Sequence, residues 1–158
     1  MKFLQVLLFI TMTLAAHVPE KYPGYLYVAW VGNKKVHYDL GVSKDYLAWE
    51  DKGSKFDYGR QKGTFEYEKG KYLSIDKYGK VVCKKKKDYK FSLNYDKEID
   101  IYDEVYYKGG KNFKLCGDKS IIYNNDCQGG VEIKLAFKKF KKSGKKSGKK
   151  SGKKLGWY

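Results

Sequence analysis

Lys71-Tyr72-Leu73-Ser74-Ile75-Asp76-Lys77-Tyr78-Gly79-Lys80-Val81-Val82-Cys83 is the stretch that decides the fold class. Apolar and polar residues alternate from Lys71 to Ile75, as they do when successive side chains point to opposite faces of a strand. Asp76-Lys77-Tyr78-Gly79 supplies turn chemistry, and Lys80-Val81-Val82-Cys83 returns. The stretch predicts a hairpin.

The same reading extends in both directions. Upstream, Tyr25–Val31 is a dense strand that turns through Gly32-Asn33-Lys34-Lys35 into Val36–Leu40. Phe56–Tyr58 and Thr64–Glu68 alternate around Gly59 and Gly63. Downstream, strands are predicted at Tyr89–Leu93, Glu98–Tyr102, Val105–Tyr107, Asn112–Cys116, Ser120–Tyr123 and Val131–Phe137. The one helical candidate is Val42–Trp49, with Ser43 as its N-cap. About ten short strands at intervals of roughly 8–12 residues predict an all-β, antiparallel β-sandwich or closed β-barrel.

Composition agrees. Of 158 residues, 17% are aromatic, with 16 Tyr and 8 Phe, and there are 17 Gly but only 2 Pro. Aromatic side chains suit a half-buried pleated surface, and glycine suits turns. A helical bundle does not fit this balance.

The two ends read differently from the middle. Residues 1–16 combine a basic start (Met1-Lys2), an apolar run from Phe3 to Ile10 and small residues at Ala15-Ala16, the pattern of a secretory signal peptide. That run is short of the ~20 apolar residues of a membrane span, so the expectation is a secreted protein with no transmembrane segment. Residues 17–137 form the β domain. From Lys138 to Tyr158 the sequence becomes a Lys-Lys-Ser-Gly repeat with ten Lys and no acid. Self-repulsion and scarce apolar residues predict a disordered tail, since little burial offsets the entropy of ordering.

Charge is concentrated there. The whole chain carries a formal +16, of which the tail supplies +10. Apart from Lys2 and those ten lysines, 23 basic residues face 18 acids. Lys141, Lys142, Lys145, Lys146, Lys149, Lys150, Lys153 and Lys154 are therefore the candidate polyanion-binding residues. Such a segment binds by neutralising its partner and releasing counterions, with steep salt dependence. For a secreted chain, cell-wall polysaccharide or another extracellular polyanion is the favoured partner, nucleic acid is disfavoured, and contact with an anionic membrane surface is a further option. Lys84–Lys87 reads as a solvated loop or a charged strand edge.

No motif announces a reaction. In an oxidising compartment three cysteines imply one disulfide and one residue left over. Cys116 and Cys127 flank a short loop and are the candidate pair. Cys83 is left to compete for either, stay free and buried, or bond another molecule. No Cys-x-x-Cys and no nearby His supports a metal, and no cofactor is implied. His37 is the one plausible partner for a nucleophilic thiol, and a satisfied strand histidine is the simpler reading. Asp100, Asp103 and Glu104 resemble a carboxylate pair for glycoside hydrolysis in residue type, but their polar, turn-like setting predicts ordinary solvated acids. The chain is thus expected not to be an enzyme.

From Gly70 to Leu135 the sequence resembles the folded domain of secreted fungal (yeast) cell-wall mannoproteins. The matching pieces are Gly70–Ile75, Tyr89–Leu93, Asn112-Phe113-Lys114-Leu115-Cys116, Ile121-Ile122-Tyr123-Asn124 and Cys127–Leu135. They share an aromatic residue shortly before a Cys, a Tyr-Asn strand, a second Cys and an apolar last strand. The chain differs from that family in being basic, poor in Ser and Thr, and without a reactive-Gln repeat. The resemblance implies a secreted cell-wall or extracellular protein, structural or glycan-binding. A secreted basic toxin or antimicrobial effector acting on anionic surfaces is the alternative. The glycine-turn hairpins, Gly70–Cys83 above all, also look like units of a β-trefoil, the alternative architecture.

Overall fold

A computed structural model describes residues 21–97 and 101–140. The proposed signal peptide and the eight proposed polyanion-binding lysines lie outside the described residues, as does Asp100.

The described chain is all-β. Twelve strands follow in order: β1 (Lys21–Val31), β2 (Lys34–Ser43), β3 (Tyr46–Trp49), β4 (Lys55–Gly59), β5 (Thr64–Glu66), β6 (Tyr72–Ile75), β7 (Val81–Lys84), β8 (Phe91–Asp96), β9 (Ile101–Tyr107), β10 (Phe113–Leu115), β11 (Ile121–Tyr123) and β12 (Val131–Lys139). Among the described residues there is no helix, and so none long and apolar enough to cross a membrane.

The expected helix at Val42–Trp49 is a hairpin. Lys44 and Asp45 have φ of 49° and 66°, and Ser43 pairs with Tyr46 across them. Two successive left-handed residues make the tight turn that matches strand twist. The usual Asn-Gly signal is replaced by Lys-Asp, so the local sequence hides it. The two strands expected at Glu98–Tyr102 and Val105–Tyr107 meet in β9, where Asp103, at φ 61°, stands at a bulge opposite β8.

The sheet closes. Strands β1-β2-β3-β7-β6-β5-β4 form a seven-strand antiparallel circuit, shut by β4 pairing back to β1. Closure makes this a barrel and not an open two-layer sandwich. A second circuit also runs around the molecule. It goes β1-β4-β5, crosses to β8 through the Phe91 N–H donating to the Gly63 carbonyl at 3.1 Å, and returns by β9 and β12 to β1. A Cβ at Gly63 would fall 2.3 Å from the Phe91 carbonyl oxygen, so only glycine permits that approach.

The hairpins β2–β3, β6–β7 and β10–β11 cover one end of this ring with a cyclic set of bonds. The Trp49 N–H donates to the Lys119 carbonyl, Cys83 to Asp45 and Tyr123 to Gly79, at 2.9, 2.7 and 2.7 Å. Each hairpin thereby donates to another, and each acceptor has left-handed φ: 66° at Lys119, 66° at Asp45 and 83° at Gly79. Pairings Tyr46–Val82, Lys80–Ile122 and Ser120–Ala48 repeat the cycle. Six ring strands with three such hairpins have the connectivity of a β-trefoil.

Burial follows the same three-fold pattern. Leu40, Leu73 and Phe113 occupy equivalent positions on the first strand of each hairpin, and Leu47, Val81 and Ile121 on the second; all six belong to one core. Inside the ring, Phe65 packs against Tyr58, Phe91 and Phe137 with ring centroids 4.8–5.5 Å apart. Aromatic contacts at these separations add about 0.5–1.5 kcal/mol each beyond area burial.

Candidate ligand-binding groove beside the Lys-rich segment

The functional geometry begins with period two on β1. Leu26 and Val28 are buried in the core, which turns Tyr25 and Tyr27 to the outer face. Register then fixes their neighbours. Tyr27 lies opposite Asp39 of β2 on one side and Ala136 of β12 on the other, while Tyr25 lies opposite Lys138.

These positions line a groove of about 420 Å³. The Tyr27 ring stacks on His37, centroids 4.5 Å apart. His37 Nε2 lies 3.3 Å from Asp39 Oδ1. Strand β12 takes in Lys138 and Lys139, the first two residues of the stretch expected to be disordered, and the next backbone N–H, that of Phe140, donates to the Pro23 carbonyl at 2.8 Å. Its ring meets Tyr25 edge-on at 4.7 Å and carries the Lys55 ammonium 5.5 Å above it. Lys139 Nζ is 3.0 Å from Asp103 Oδ1. Tyr25 is left 40% exposed, where most ring strands bury their aromatics.

Electrostatics in the groove are graded. Burial pushes the Tyr27 phenol above its ordinary pKa, and the Asp103 carboxylate adds to the effect. Tyr27 therefore stays neutral and able to donate a hydrogen bond through the physiological range. Lys55 and Lys138 contribute positive charge, Asp39 is an acceptor, and the aromatic faces are apolar. The arrangement can stack, exchange hydrogen bonds and attract an anion. Phe140, on the wall of this groove, is the residue that precedes the paired lysines in sequence.

A larger depression, about 920 Å³, lies by the disulfide. Of its carboxylates, Asp126 is exposed and paired with Lys114, and the other two are occupied in holding turns. Asp76 accepts from the Tyr78 and Lys80 N–H groups, both at 2.9 Å, and Asp118 from Ser120 N–H and O–H at 3.0 and 2.6 Å. Size alone does not equip it for binding.

The remaining expectations divide. Cys116 and Cys127 are bonded, Cα atoms 5.8 Å apart, and Cys83 is free and buried. Burial pushes the Cys83 thiol up to about 12, so it is protonated and unreactive. His37 is over half exposed on β2 and Cys83 is enclosed on β7, so no thiol–imidazole pair forms between them. Lys84–Lys87 are exposed, at the end of β7 and the loop after it.

The reading of Glu104 as a solvated acid is corrected, whereas Asp103 stays partly exposed and paired with Lys139. Glu104 is 0% exposed, because register places it beside Ala136, under the packing of three strands. Tyr106 Oη donates to its Oε2 at 3.0 Å and Lys111 Nζ lies 3.6 Å away. Its Oε1 has no hydrogen-bond partner among the described residues, nor has Trp30 Nε1.

Sequence reasoning missed the groove. Period-two tyrosines signal a sheet, but Tyr58, Tyr72 and Tyr107 follow the same rule and are buried. Only the neighbouring strands distinguish a packed tyrosine from a presented one. No family model, no curated protein and no solved structure matches this chain.

Proposed function

We propose that this is a secreted, non-enzymatic protein of the fungal cell wall or extracellular space, structural or glycan-binding. In this reading its Lys-rich C-terminal segment attaches it by charge to anionic wall polymer. The observation that carries the proposal is the run of paired lysines from Lys141 to Lys154 without an acid among them. Eight like charges on a short segment gain affinity for any polyanion through counterion release, and lose it as salt rises. The aromatic groove beside Phe140 supports a glycan-facing role for the barrel.

The test is co-sedimentation with isolated fungal walls across a salt series, comparing the whole chain with one ending at Phe140. Barrel closure lies within residues 21–140, so the cut falls after the last described contact. Binding that disappears both with the segment and with salt supports electrostatic attachment. Equal retention of the two chains at every salt concentration refutes it.

A second reading, a basic effector acting on anionic membranes, is favoured by the same paired lysines, each worth about 1 kcal/mol near an anionic surface, although Phe140, Leu155, Trp157 and Tyr158 are the few apolar residues the segment offers for insertion. It predicts dye leakage from anionic vesicles and none from neutral ones.

A further inference from the structure

We infer that the groove between Tyr25, Tyr27, His37 and Phe140 seats a single anionic pyranose unit of the same polymer that the Lys-rich segment neutralises. This rests on the preceding proposal and names its ligand class: an acidic polysaccharide, and not a polyanion without sugar rings.

Three features of the groove point to a sugar ring. First, its walls are aromatic and presented: Tyr25 is 40% exposed and braced at 4.7 Å by Phe140. A tyrosine offers a flat apolar face with a polar edge, matched by the C–H face and hydroxyl rim of a pyranose. A linear polyphosphate has no such face and gains nothing from these rings. Second, the polar groups are of both kinds. Asp39 accepts and the neutral Tyr27 hydroxyl donates, as sugar hydroxyls require. A site for a bare anion has no use for a carboxylate. Third, Lys138 and the Lys55 ammonium over Phe140 set positive charge at the same place, which suits a carboxylate or phosphate on the ring. The volume of about 420 Å³ lies within the range for small-ligand sites.

Connectivity couples the two parts. Phe140 lines the groove and the next residue, Lys141, begins the paired lysines. A polymer held by the segment is therefore delivered to the groove at high effective concentration, so a weak single-ring contact is amplified. The segment supplies affinity for any polyanion, and the groove discriminates among them.

The experiment uses the whole chain and three probes: an oligogalacturonate, a polyphosphate of equal charge and a neutral glucan oligosaccharide. Wild type is expected to bind oligogalacturonate more tightly than polyphosphate at the same salt, and the neutral glucan weakly. Tyr25→Ala is expected to weaken oligogalacturonate binding about tenfold, the scale of one lost aromatic contact, and to leave polyphosphate binding within about twofold. Tyr25→Phe keeps the ring and should retain most of the affinity. Amide and ring resonances of Tyr27, His37 and Phe140 should shift on titration with oligogalacturonate and not with polyphosphate. Equal losses for both probes in Tyr25→Ala, or no loss for either, overturn the groove's role, as do resonance shifts confined to other surfaces. Wild type binding neither charged probe would instead overturn the attachment proposal itself.

Discussion

The two ends of the barrel are built from similar residues and used differently. At the hairpin end, three turns donate to one another in a ring and enclose Leu47, Val81 and Ile121. At the end where β1 begins and β12 finishes, aromatic residues are turned outward and lysines interleave with them. Tyr25 and Phe140 face each other across the surface there. The hairpin end buries these aliphatic residues and leaves Tyr78 exposed alone at a turn, while the strand end sets its exposed Tyr25 against a second ring, Phe140. Beneath them the ring aromatics pack, and polar contacts add to that packing, such as Lys21 Nζ donating to Glu66 Oε2 at 2.7 Å. That division suggests where substitution should cost stability and where it should cost binding.

The largest loss is expected from Ile121→Ala, since the residue is 0% exposed within the hairpin core. Urea unfolding should show a loss of about 2–5 kcal/mol, the range for truncating a buried aliphatic side chain. Replacing both Cys116 and Cys127 by Ser removes a bridge between residues 11 apart in sequence. In the chain-entropy description that costs about 3 kcal/mol, read as a lower denaturation midpoint, with a slope that rises because the freed unfolded chain exposes more surface.

Gly79→Ala separates two demands made on the hairpin ring. Gly79 has φ 83°, and a Cβ there would lie 2.7 Å from the Tyr123 carbonyl oxygen. The variant should lose about 2 kcal/mol by thermal or chemical unfolding, combining left-handed strain with that clash. Lys119 holds the equivalent place at φ 66° and already carries a side chain. Lys119→Ala should cost less than about 1 kcal/mol. Similar costs at both positions would mean that neither the left-handed strain nor the close approach at Gly79 matters.

At the strand end, Glu66 provides a pH test. Its carboxylate is held below the ordinary range, chiefly by the hydrogen bond from Lys21 and then by the Gly70 N–H. Its stabilisation is therefore complete above the unfolded glutamate pKa of about 4.3 and is lost as pH falls through the lower folded value. Glu66→Gln should cost about 1 kcal/mol at neutral pH and flatten part of the acid-unfolding curve. The smallest effect on stability is expected from Tyr25→Ala, within about 0.5–1 kcal/mol, even though this substitution should most reduce recognition of an acidic sugar. A large stability loss there would erase the contrast between the ends.

Strand period was legible along most of the chain, because alternation is local; Val42–Trp49, expected as a helix, was the exception. Turn type was legible only where glycine or the usual turn residues announced it. Asp76-Lys77-Tyr78-Gly79 did so, whereas Lys44-Asp45 and Lys119 carry the same left-handed geometry on ordinary side chains. The three-fold repeat is hidden for that reason: equivalent positions hold Asp45, Gly79 and Lys119, or Trp49, Cys83 and Tyr123, and conserve backbone geometry without conserving residue type. Glu104 was misread because its neighbours in sequence are polar, while its neighbours in space belong to β8 and β12.

By itself the sequence determined the all-β class and the placement of the excess charge after the β domain, and it made Cys116–Cys127 the candidate pair that the structure then bonds. These follow from short-range period, from a short loop between two cysteines and from composition. Tertiary structure alone decided that the sheet closes, that Cys83 is sealed in the core and that Tyr25 is presented while Tyr58 is packed. Closure and burial depend on which distant strands meet, and the physical cost of a buried or exposed side chain is set there, not along the chain.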